Sequence, residues 1–451
     1  MRFLRGRVLP ASMLAAASFA VIGAADAASA AAATQCSGSN IAGQGAAVQK
    51  IAIQSIWGPD FNTSTEALAC SGTQGSGGKP TVTYTSDSSA VGLESWGTEH
   101  HAASFIPTNA YIGTEEAPGV GQTGEIEENE TTKGSAKASL QTIPVLQESI
   151  AVLIHLPAGC TATSKADPGR LVLNNTTLQS IYLGTINTWG AITDDGDQIT
   201  GTGCAADSIT RTARLDSAGT TNIFKKYLAL INGSPFETET GEHVTWVGAA
   251  SGAENTDWPK AAIAVARPAK TGDAAEVAKV VETAGTIGYS GMADARANAG
   301  FVPSGGGAGT AVFWAPVQNN GTSTKGKYAD PSTDGESATA ANANCAKTKY
   351  TNGTGTKFPP KTTADSWAEV TTATKQKNYP ICGFGYTLAL SKYSAYPSTT
   401  EGEAITVNNF LKFVLSSGSQ GGQSLLVNHD YEPLPTKVLK EAQKGAALVV
   451  F

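Results

Sequence analysis

Residues 209–231, ITRTARLDSAGTTNIFKKYLALI, contain a strand pattern, a short polar turn and a helix pattern in direct succession. The first seven residues predict a strand. From Thr220 onward, apolar residues recur four apart, which places them on one face of a helix. A strand followed at once by a helix is the repeating unit of α/β proteins. This stretch therefore predicts one such unit in the middle of the chain.

The turn inside this unit, residues 214–220 (RLDSAGT), carries groups that suit an anion. The first N–H groups of a helix lack intrahelical partners and carry partial positive charge, so an oxyanion placed there gains hydrogen bonds. Gly219 allows close approach of a ligand, and Arg214 offers a fork that binds two oxygens at once. The alternative is that Arg214 forms a structural ion pair at the surface or between lobes.

Two further segments predict the same design, a strand followed by small polar residues and a helix. They are residues 37–40 (SGSN) and 86–89 (SDSS). Ser, Asn and Asp also cap ordinary helices. A plain helix cap is therefore the competing interpretation for each segment, and for Asn40 in particular.

Outward from these turns, strand and helix patterns alternate, which favours an α/β fold. Strands are predicted at 80–85 and 286–289, and a buried strand pair is predicted at 143–156. Helices are predicted at 42–57, at 178–189 (ending at Gly184) and at 407–415. Residues 119–136 are predicted to be an exposed loop. Residues 303–365 are dominated by Gly, Thr, Ser, Asn and Ala, a composition that cannot form its own core, and are predicted to be surface loops.

The composition excludes several classes of function. The net charge of −7 argues against nucleic acid as a partner, because duplex binding depends on Lys and Arg neutralising phosphates. The sequence lacks a GxSxG nucleophile elbow, an HExxH motif and an Asp/His cluster for two metals. The adjacent His100 and His101 are poorly spaced to share one metal ion. We therefore expect neither an enzyme nor a cofactor or metal site.

The first 30 residues predict an export signal. Arg2, Arg5 and Arg7 precede an apolar run that ends at the cleavage pattern ASA, residues 28–30. The residues before Cys36 do not form a lipoprotein signal, so no lipid anchor is expected. Six cysteines in an oxidising compartment predict disulfides, with 15 connectivities possible. Pairing in sequence order, 36–70, 160–204 and 345–382, is weakly preferred because each loop is then local.

The chain also resembles the phosphate-binding protein of the ABC phosphate transporter, within the class II periplasmic-binding-protein superfamily. The resemblance spans nearly the whole chain after the signal. The most specific matches are 178–189 (LQSIYLGTINTW) and 214–220. The others are 38–41 (GSNI), 88–92 (SSAVG), 113–118 (GTEEAP), 143–145 (IPV), 285–289 (GTIGY), 379–381 (YPI) and 431–435 (YEPLP).

The resemblance implies a two-lobed fold with two crossover strands and a hinge. Lobe 1 would hold residues 36–142 plus 380–451, and lobe 2 residues 143–379, including the low-complexity insertion. It also implies that the protein captures inorganic phosphate or a similar oxyanion in the cleft and delivers it to an ABC permease complex. We expect a monomer, located in the periplasm or at the cell surface.

Carried over by position, the resemblance implies a set of ligand-binding residues. They are Asn40, Ile41, Ser89 (with Ser88 as its alternative), Glu116, Arg214, Asp216, Ser217, Ala218, Gly219 and Thr220. Glu116 stands at the position of a carboxylate that accepts a proton from the ligand, and Glu115 next to it competes for that role. Asp216 would orient Arg214. The chain departs from the family where Asn40 replaces a hydroxyl residue, where Glu116 replaces Asp, and where Ala218 replaces Ser, for which Ser217 is a possible substitute.

A different class of function is also compatible with this sequence. A binding fold recruited to an extracellular surface, adhesive or signalling role would explain the missing lipid anchor and the low-complexity insertion. Binding of oxyanions separates the two hypotheses.

Overall fold

A computed structural model describes much of the chain. The described residues are 38–61, 80–98, 109–131, 138–232, 236–237, 243–244, 246, 258, 265–301, 312–319, 328–332, 367, 379–396 and 399–451. The predicted export signal, the histidines at 100 and 101, and three of the six cysteines lie outside these ranges.

Strands and helices alternate through most of the described chain. The strands are β1 (Ile41–Ala46), β2 (Val82–Asp87), β3 (Tyr111–Thr114), β4 (Leu140–His155), β5 (Thr161–Ala162), β6 (Ile199–Thr200), β7 (Thr210–Arg211), β8 (Phe236–Glu237), β9 (His243–Val244), β10 (Thr286–Gly291), β11 (Val312–Ala315), β12 (Val317–Gln318), β13 (Tyr328–Ala329) and β14 (Cys382–Leu390). The α-helices are α1 (Gln49–Ile51), α2 (Gly58–Phe61), α3 (Ser89–Glu94), α4 (Val120–Thr131), α5 (Asn175–Leu183), α6 (Gly219–Asn232), α7 (Asp273–Glu282), α8 (Met292–Ala297), α9 (Glu401–Val414), α10 (Gly422–Leu425) and α11 (Thr436–Ala446). A π-helical segment, Ala52–Trp57, joins α1 to α2, and 3₁₀ turns occur at Trp189–Ala191, Cys204–Ala206 and Tyr393–Ala395.

Eight strands form the main sheet, in the order β2-β1-β3-β14-β4-β10-β7 with β11 also paired to β4. β1 runs parallel to β2 and β3, whereas β14 is antiparallel to both β3 and β4. Parallel strands need crossover connections, and helices such as α3 supply them. The α/β class predicted from the alternating pattern is confirmed.

The long strand β4 joins the two halves of this sheet. Its residues from Leu140 to Ser149 pair with β14, and those from Ile150 to His155 pair with β10. β11 pairs with the same second part on its other side. The predicted strand pair at 143–156 is therefore wrong, because one continuous strand of 16 residues crosses from one half to the other.

Two hydrophobic cores lie on this sheet. The first contains Trp57 and Phe410, and the second contains Phe224 stacked on Tyr289 at 4.4 Å between ring centroids. Successive residues of the second part of β4 contribute alternately to the two cores, as the two-residue period of a strand requires. The same strand therefore connects both cores.

Helix boundaries follow recognisable caps. Ser88 accepts a hydrogen bond from the Val91 N–H and begins α3, and Asn174 caps α5 in the same way. Gly184 ends α5 with a φ of 82°, a left-handed conformation that glycine adopts without steric cost. The helix end predicted at this glycine is confirmed.

Three further sequence predictions are wrong. Residues 42–57 are not one helix, because their first part is the strand β1 and the helical part begins at Gln49. The predicted loop at 119–136 contains the helix α4. Within the predicted surface loops at 303–365, β11 is buried and belongs to the main sheet. In each case pairing or packing with distant residues overrides the local pattern.

A disulfide joins Cys160 to Cys204, with 5.8 Å between the Cα atoms, and confirms one of the three predicted pairings. Cys382 is also disulfide-bonded, to a cysteine outside the described residues. In the described part of the chain, no helix combines the length and the apolar character needed to cross a bilayer.

Candidate functional site

The parallel strands β1, β2 and β3 end at the same edge of the sheet. Ala46 at the end of β1 is in register with Asp87 at the end of β2, and Gly45 with Gly113 of β3. Ligands of open α/β sheets bind beyond the carboxyl ends of the strands. The residues that follow these ends are therefore the candidates for a site.

Arg214 is the centre of the candidate site. It lies between β7 and α6 and is only 1% exposed. Its Nε and Nη2 donate to the two carboxylate oxygens of Asp216 at 2.9 and 2.5 Å. Its Nη1 lies 2.8 Å from Oδ2 of Asp273. Burial alone would lower the pKa of Arg214, but the carboxylates of Asp273 and Asp216 raise it above its usual value, so the guanidinium stays charged.

Thr220, in the first turn of α6, joins Arg214 to acidic groups from two other elements. Its Oγ1 lies 2.7 Å from Oε2 of Glu115 and 3.0 Å from Oδ2 of Asp273. Arg214 Nη1 also lies 3.4 Å from this oxygen. Burial and the charge of Asp273 raise the pKa of Glu115 to about 8, although the Thr220 hydrogen bond and Arg214 act in the opposite direction.

Gly219 is the point of closest approach between α6 and the turn after β3. A Cβ atom at this position would lie 2.4 Å from Cβ of Glu115 and 2.6 Å from Oγ of Ser89. Ser89 Oγ in turn accepts a hydrogen bond from the Glu115 N–H at 3.2 Å. The structure therefore brings together four of the predicted residues, Ser89, Arg214, Gly219 and Thr220, and places the alternative Glu115 beside them.

The other predicted residues of the 214–220 turn surround this point. Asp216 contacts Arg214 as described, and Ser217 is half-buried. Ala218 is buried, and its backbone carbonyl accepts a hydrogen bond from the Asn222 N–H. Ser88, the alternative to Ser89, is committed to the cap of α3 through Val91.

The structure gives the two neighbouring glutamates different surroundings. The Glu116 N–H donates to Oγ1 of Thr114, and the carboxylate interacts with Lys226 of α6. Burial lowers the pKa of Lys226, and the charge of Glu116 opposes this effect. Glu115, not Glu116, is the acid that contacts Thr220.

Asn40 and Ile41 need a correction, because they lie at the opposite edge of the sheet. Ile41 begins β1, and Asn40 just before it is exposed and accepts a hydrogen bond from the Thr81 N–H at 2.8 Å. A six-residue strand spans about 20 Å, so both residues are remote from the strand ends that carry the site. The prediction failed because it placed a helix where β1 runs.

Asp273 was missed by the sequence analysis. It is fully buried at the first position of α7, after Gly272 with a φ of 94°. Its Oδ2 contacts Arg214 and Thr220. Its Oδ1 lies 3.4 Å from both the Gly291 nitrogen and Ser290 Oγ. The only sequence signal was a Gly-Asp pair before an apolar pattern, which many helix starts share.

Comparison with known proteins agrees with this arrangement of strands and turns. Residues 120–417 match the family model described as the PBP superfamily domain, so the chain belongs to this superfamily of binding proteins. No curated protein matches the sequence significantly.

Several solved structures that share this fold are described as phosphate-binding proteins. One, a high-affinity periplasmic phosphate-binding protein (PfluDING) bound with phosphate, has a TM-score of 0.56 at 18% identity, covering 90% of this chain and 93% of its own. A phosphate-binding protein from Stenotrophomonas maltophilia has a TM-score of 0.58 at 16% identity, with the same coverage. A human phosphate-binding apolipoprotein has a TM-score of 0.56 at 17% identity and covers 90% and 94%.

Proposed function

We propose that this protein is an exported solute-binding receptor that captures inorganic phosphate or a similar oxyanion and delivers it to an ABC importer. The observation that carries the proposal is the contact of Arg214 and the start of α6 with Ser89 and Glu115, which follow strands in the other half of the sheet. The role is binding rather than catalysis, and the protein acts as a monomer.

Arg214 keeps a donor for a ligand in this arrangement. A guanidinium has five N–H groups. The contacts with Asp216 and Asp273 occupy one N–H on each of its three nitrogens. The second N–H of Nη1 donates to Thr220, whereas Nη2 has a second N–H that can donate to an oxyanion. Ser89 accepts from the Glu115 N–H and retains its own hydroxyl hydrogen for the same purpose.

The lobes are proposed to divide as residues 36–142 plus 380–451 and residues 143–379. β4 and β14 would be the crossover strands, since β4 contributes to both halves of the sheet and pairs with β14 along its first ten residues. Separation of α6 from the turn after β3 would open the site, and the ligand would draw them together by a hinge motion.

The overall charge cannot attract the ligand. A net charge of −7 repels anions at long range. Capture therefore depends on the local field of Arg214 and of the first turn of α6, which act only over the last few ångströms.

Calorimetric titration of the mature protein with phosphate, arsenate and sulfate at two pH values tests the proposal. We expect saturable binding of phosphate and arsenate with a stoichiometry near one. Absence of binding for all three anions would overturn the receptor function and favour a binding fold recruited to a surface or signalling role. Neighbouring genes for a permease and an ATPase would support delivery to an importer.

A further inference from the structure

Glu148 is a buried acid in the middle of β4 that the proposed anion site does not yet use. It is 1% exposed, and neither of its carboxyl oxygens has a hydrogen-bond partner among the described residues. Its neighbours on the same face of the strand are Leu146, in the first core, and Ile150, in the second. Glu148 therefore lies at the junction of the two cores.

The position of Glu148 is linked to the candidate site through β14. Glu148 pairs in register with Gly383, which contributes no side chain. Gly383 and Glu115 line the same cavity of about 20 Å³, together with Lys226 and Trp367. This volume is enough for one water-sized group.

Several charged groups face Glu148, and most are acidic. The acids are Glu115 after β3, Asp273 in α7 and Asp294 in α8. The hydroxyl group of Tyr431, from the C-terminal segment, also lies close to Glu148 and Asp294. Two cations oppose the effect of these acids. Arg214 lowers the pKa of Glu115 and of Asp294, and Lys50 lowers the pKa of Asp294. Burial raises the pKa of Glu148 well above its usual value, and the charges of Glu115, Asp273 and Asp294 raise it further. Burial and Asp273 raise the pKa of Asp294 to about 8.

Thr220 lies between two acids of the site and can donate its hydrogen to only one of them at a time. A threonine hydroxyl has a single hydrogen, yet oxygens of both Glu115 and Asp273 lie within 3.0 Å of Oγ1. Asp273 forms the ion pair with Arg214 and receives the Gly291 N–H. Glu115 accepts the Thr220 hydrogen through Oε2, and the charge of Asp273 beside it favours a proton on the other carboxyl oxygen.

Building on the proposed anion-binding function, we propose that Glu148 is a second ligand-binding acid, which donates a hydrogen bond from its protonated carboxyl group to an oxyanion held by Arg214. Glu148 has an acidic hydrogen with no acceptor in the described protein, and a bound oxyanion supplies that acceptor. The site thus takes up an oxyanion together with protons held by Glu115 and Glu148.

This arrangement predicts which anions bind and when. While the acids are protonated, an oxyanion without a proton of its own, such as sulfate, is accepted. When they ionise at alkaline pH, their charges repel sulfate, and only an anion that carries an O–H group can still donate to them. Selectivity for phosphate over sulfate therefore increases as the pH rises.

The test uses sulfate as the probe, because it does not titrate across the neutral range. Its affinity is measured calorimetrically at about pH 6 and about pH 9, on either side of the pKa of about 8 of Glu115. We expect the affinity of the wild-type protein to fall at least about tenfold between these values. E148Q, whose amide donates at every pH, should show a smaller fall in sulfate affinity, with the remaining fall due to Glu115, and E148A should bind weakly at both pH values.

E432Q is the matched control. Burial raises the pKa of Glu432 to about 7, and its backbone bridges to Gln147, next to Glu148, yet it lies outside the acidic group. E432Q should keep the wild-type dependence of sulfate affinity on pH.

Two results would overturn the role of Glu148 while phosphate binding stands. One is a wild-type sulfate affinity that does not change with pH, and the other is an unchanged pH dependence in E148Q. If the wild-type protein binds neither anion at any pH, the receptor function itself is wrong. If E148Q does not fold, E148A gives the answer, because a sulfate affinity equal to that of the wild-type protein at about pH 6 overturns the role of Glu148.

Discussion

The turn at 214–220 and the predicted turn at 37–40 have the same kind of sequence, small polar residues with a glycine. The described part of the second, residues 38–40, lies at the other end of the strands. Arg214 is 1% exposed and contacts Asp216 of the same turn and Asp273 of α7. Asn40, in contrast, is exposed and accepts a hydrogen bond from the Thr81 N–H just before β2. The first turn precedes the helix α6, and the second segment precedes the strand β1. The type of element that follows therefore decides whether such a segment can bind a ligand.

The largest effect is expected from Arg214→Ala. Removing the cation leaves Asp216 and Asp273 buried without their partner, which typically costs about 3–5 kcal/mol of folding stability. Phosphate binding should be lost as well. Thermal unfolding and calorimetric titration measure the two effects separately.

Arg214→Lys separates charge from geometry at the same position. It keeps the positive charge but cannot form the two-pronged contact with Asp216, so we expect about tenfold to hundredfold weaker phosphate binding. Wild-type affinity in this variant would show that the turn at 214–220 binds no ligand and resembles the turn at 37–40 in function.

Gly219→Ala is expected to have the next largest effect. The added Cβ would lie 2.4 Å from Glu115, closer than non-bonded carbon atoms tolerate, so α6 must move away from the turn after β3. We expect about 1–3 kcal/mol of destabilisation and weaker phosphate binding, measured by denaturant unfolding and titration.

Gly121→Ala is the matched control for this substitution. Gly121 also lies in the first turn of a helix, α4, but a Cβ there meets no atom within 4 Å. This variant should bind phosphate normally and be slightly more stable, since alanine favours the helix. Equal losses in both variants would contradict the close contact at Gly219.

The smallest effect is expected from Asn40→Ala. The variant loses one exposed hydrogen bond to the Thr81 N–H, a cost of about 1 kcal/mol or less in the free energy of unfolding. Phosphate affinity should not change. A marked loss of phosphate affinity would show that Asn40 belongs to the binding site, and the contrast between the two segments would then be wrong.

Local patterns predicted much of the fold. The strand–turn–helix unit around Arg214 is found as β7, the buried turn and α6, and the helix that ends at Gly184 was predicted from its periodicity and its glycine. These features depend on residues close together in the chain. β1 was missed because its small residues, IAGQGA, have no strong strand pattern and are held by pairing with β2 and β3.

The candidate site was predictable only in part. Arg214, Gly219 and Thr220 occupy one turn, so one motif found them together. The two adjacent glutamates at 115 and 116 could not be distinguished, since which of them contacts Thr220 depends on how the turn after β3 meets α6. Asp273 is 59 positions beyond Arg214, and no spacing rule connects them.

The sequence by itself determined the chemistry of the turn at 214–220, a cation, a glycine and a hydroxyl at the start of a helix. The tertiary structure alone decided which acids surround that turn. Glu115, Glu148 and Asp273 come from three separate elements, and they meet because β3, β4 and α7 are ordered by the pairing and packing of the whole sheet. Burial in that common space, rather than the local sequence, raises the pKa of Glu115 and Glu148.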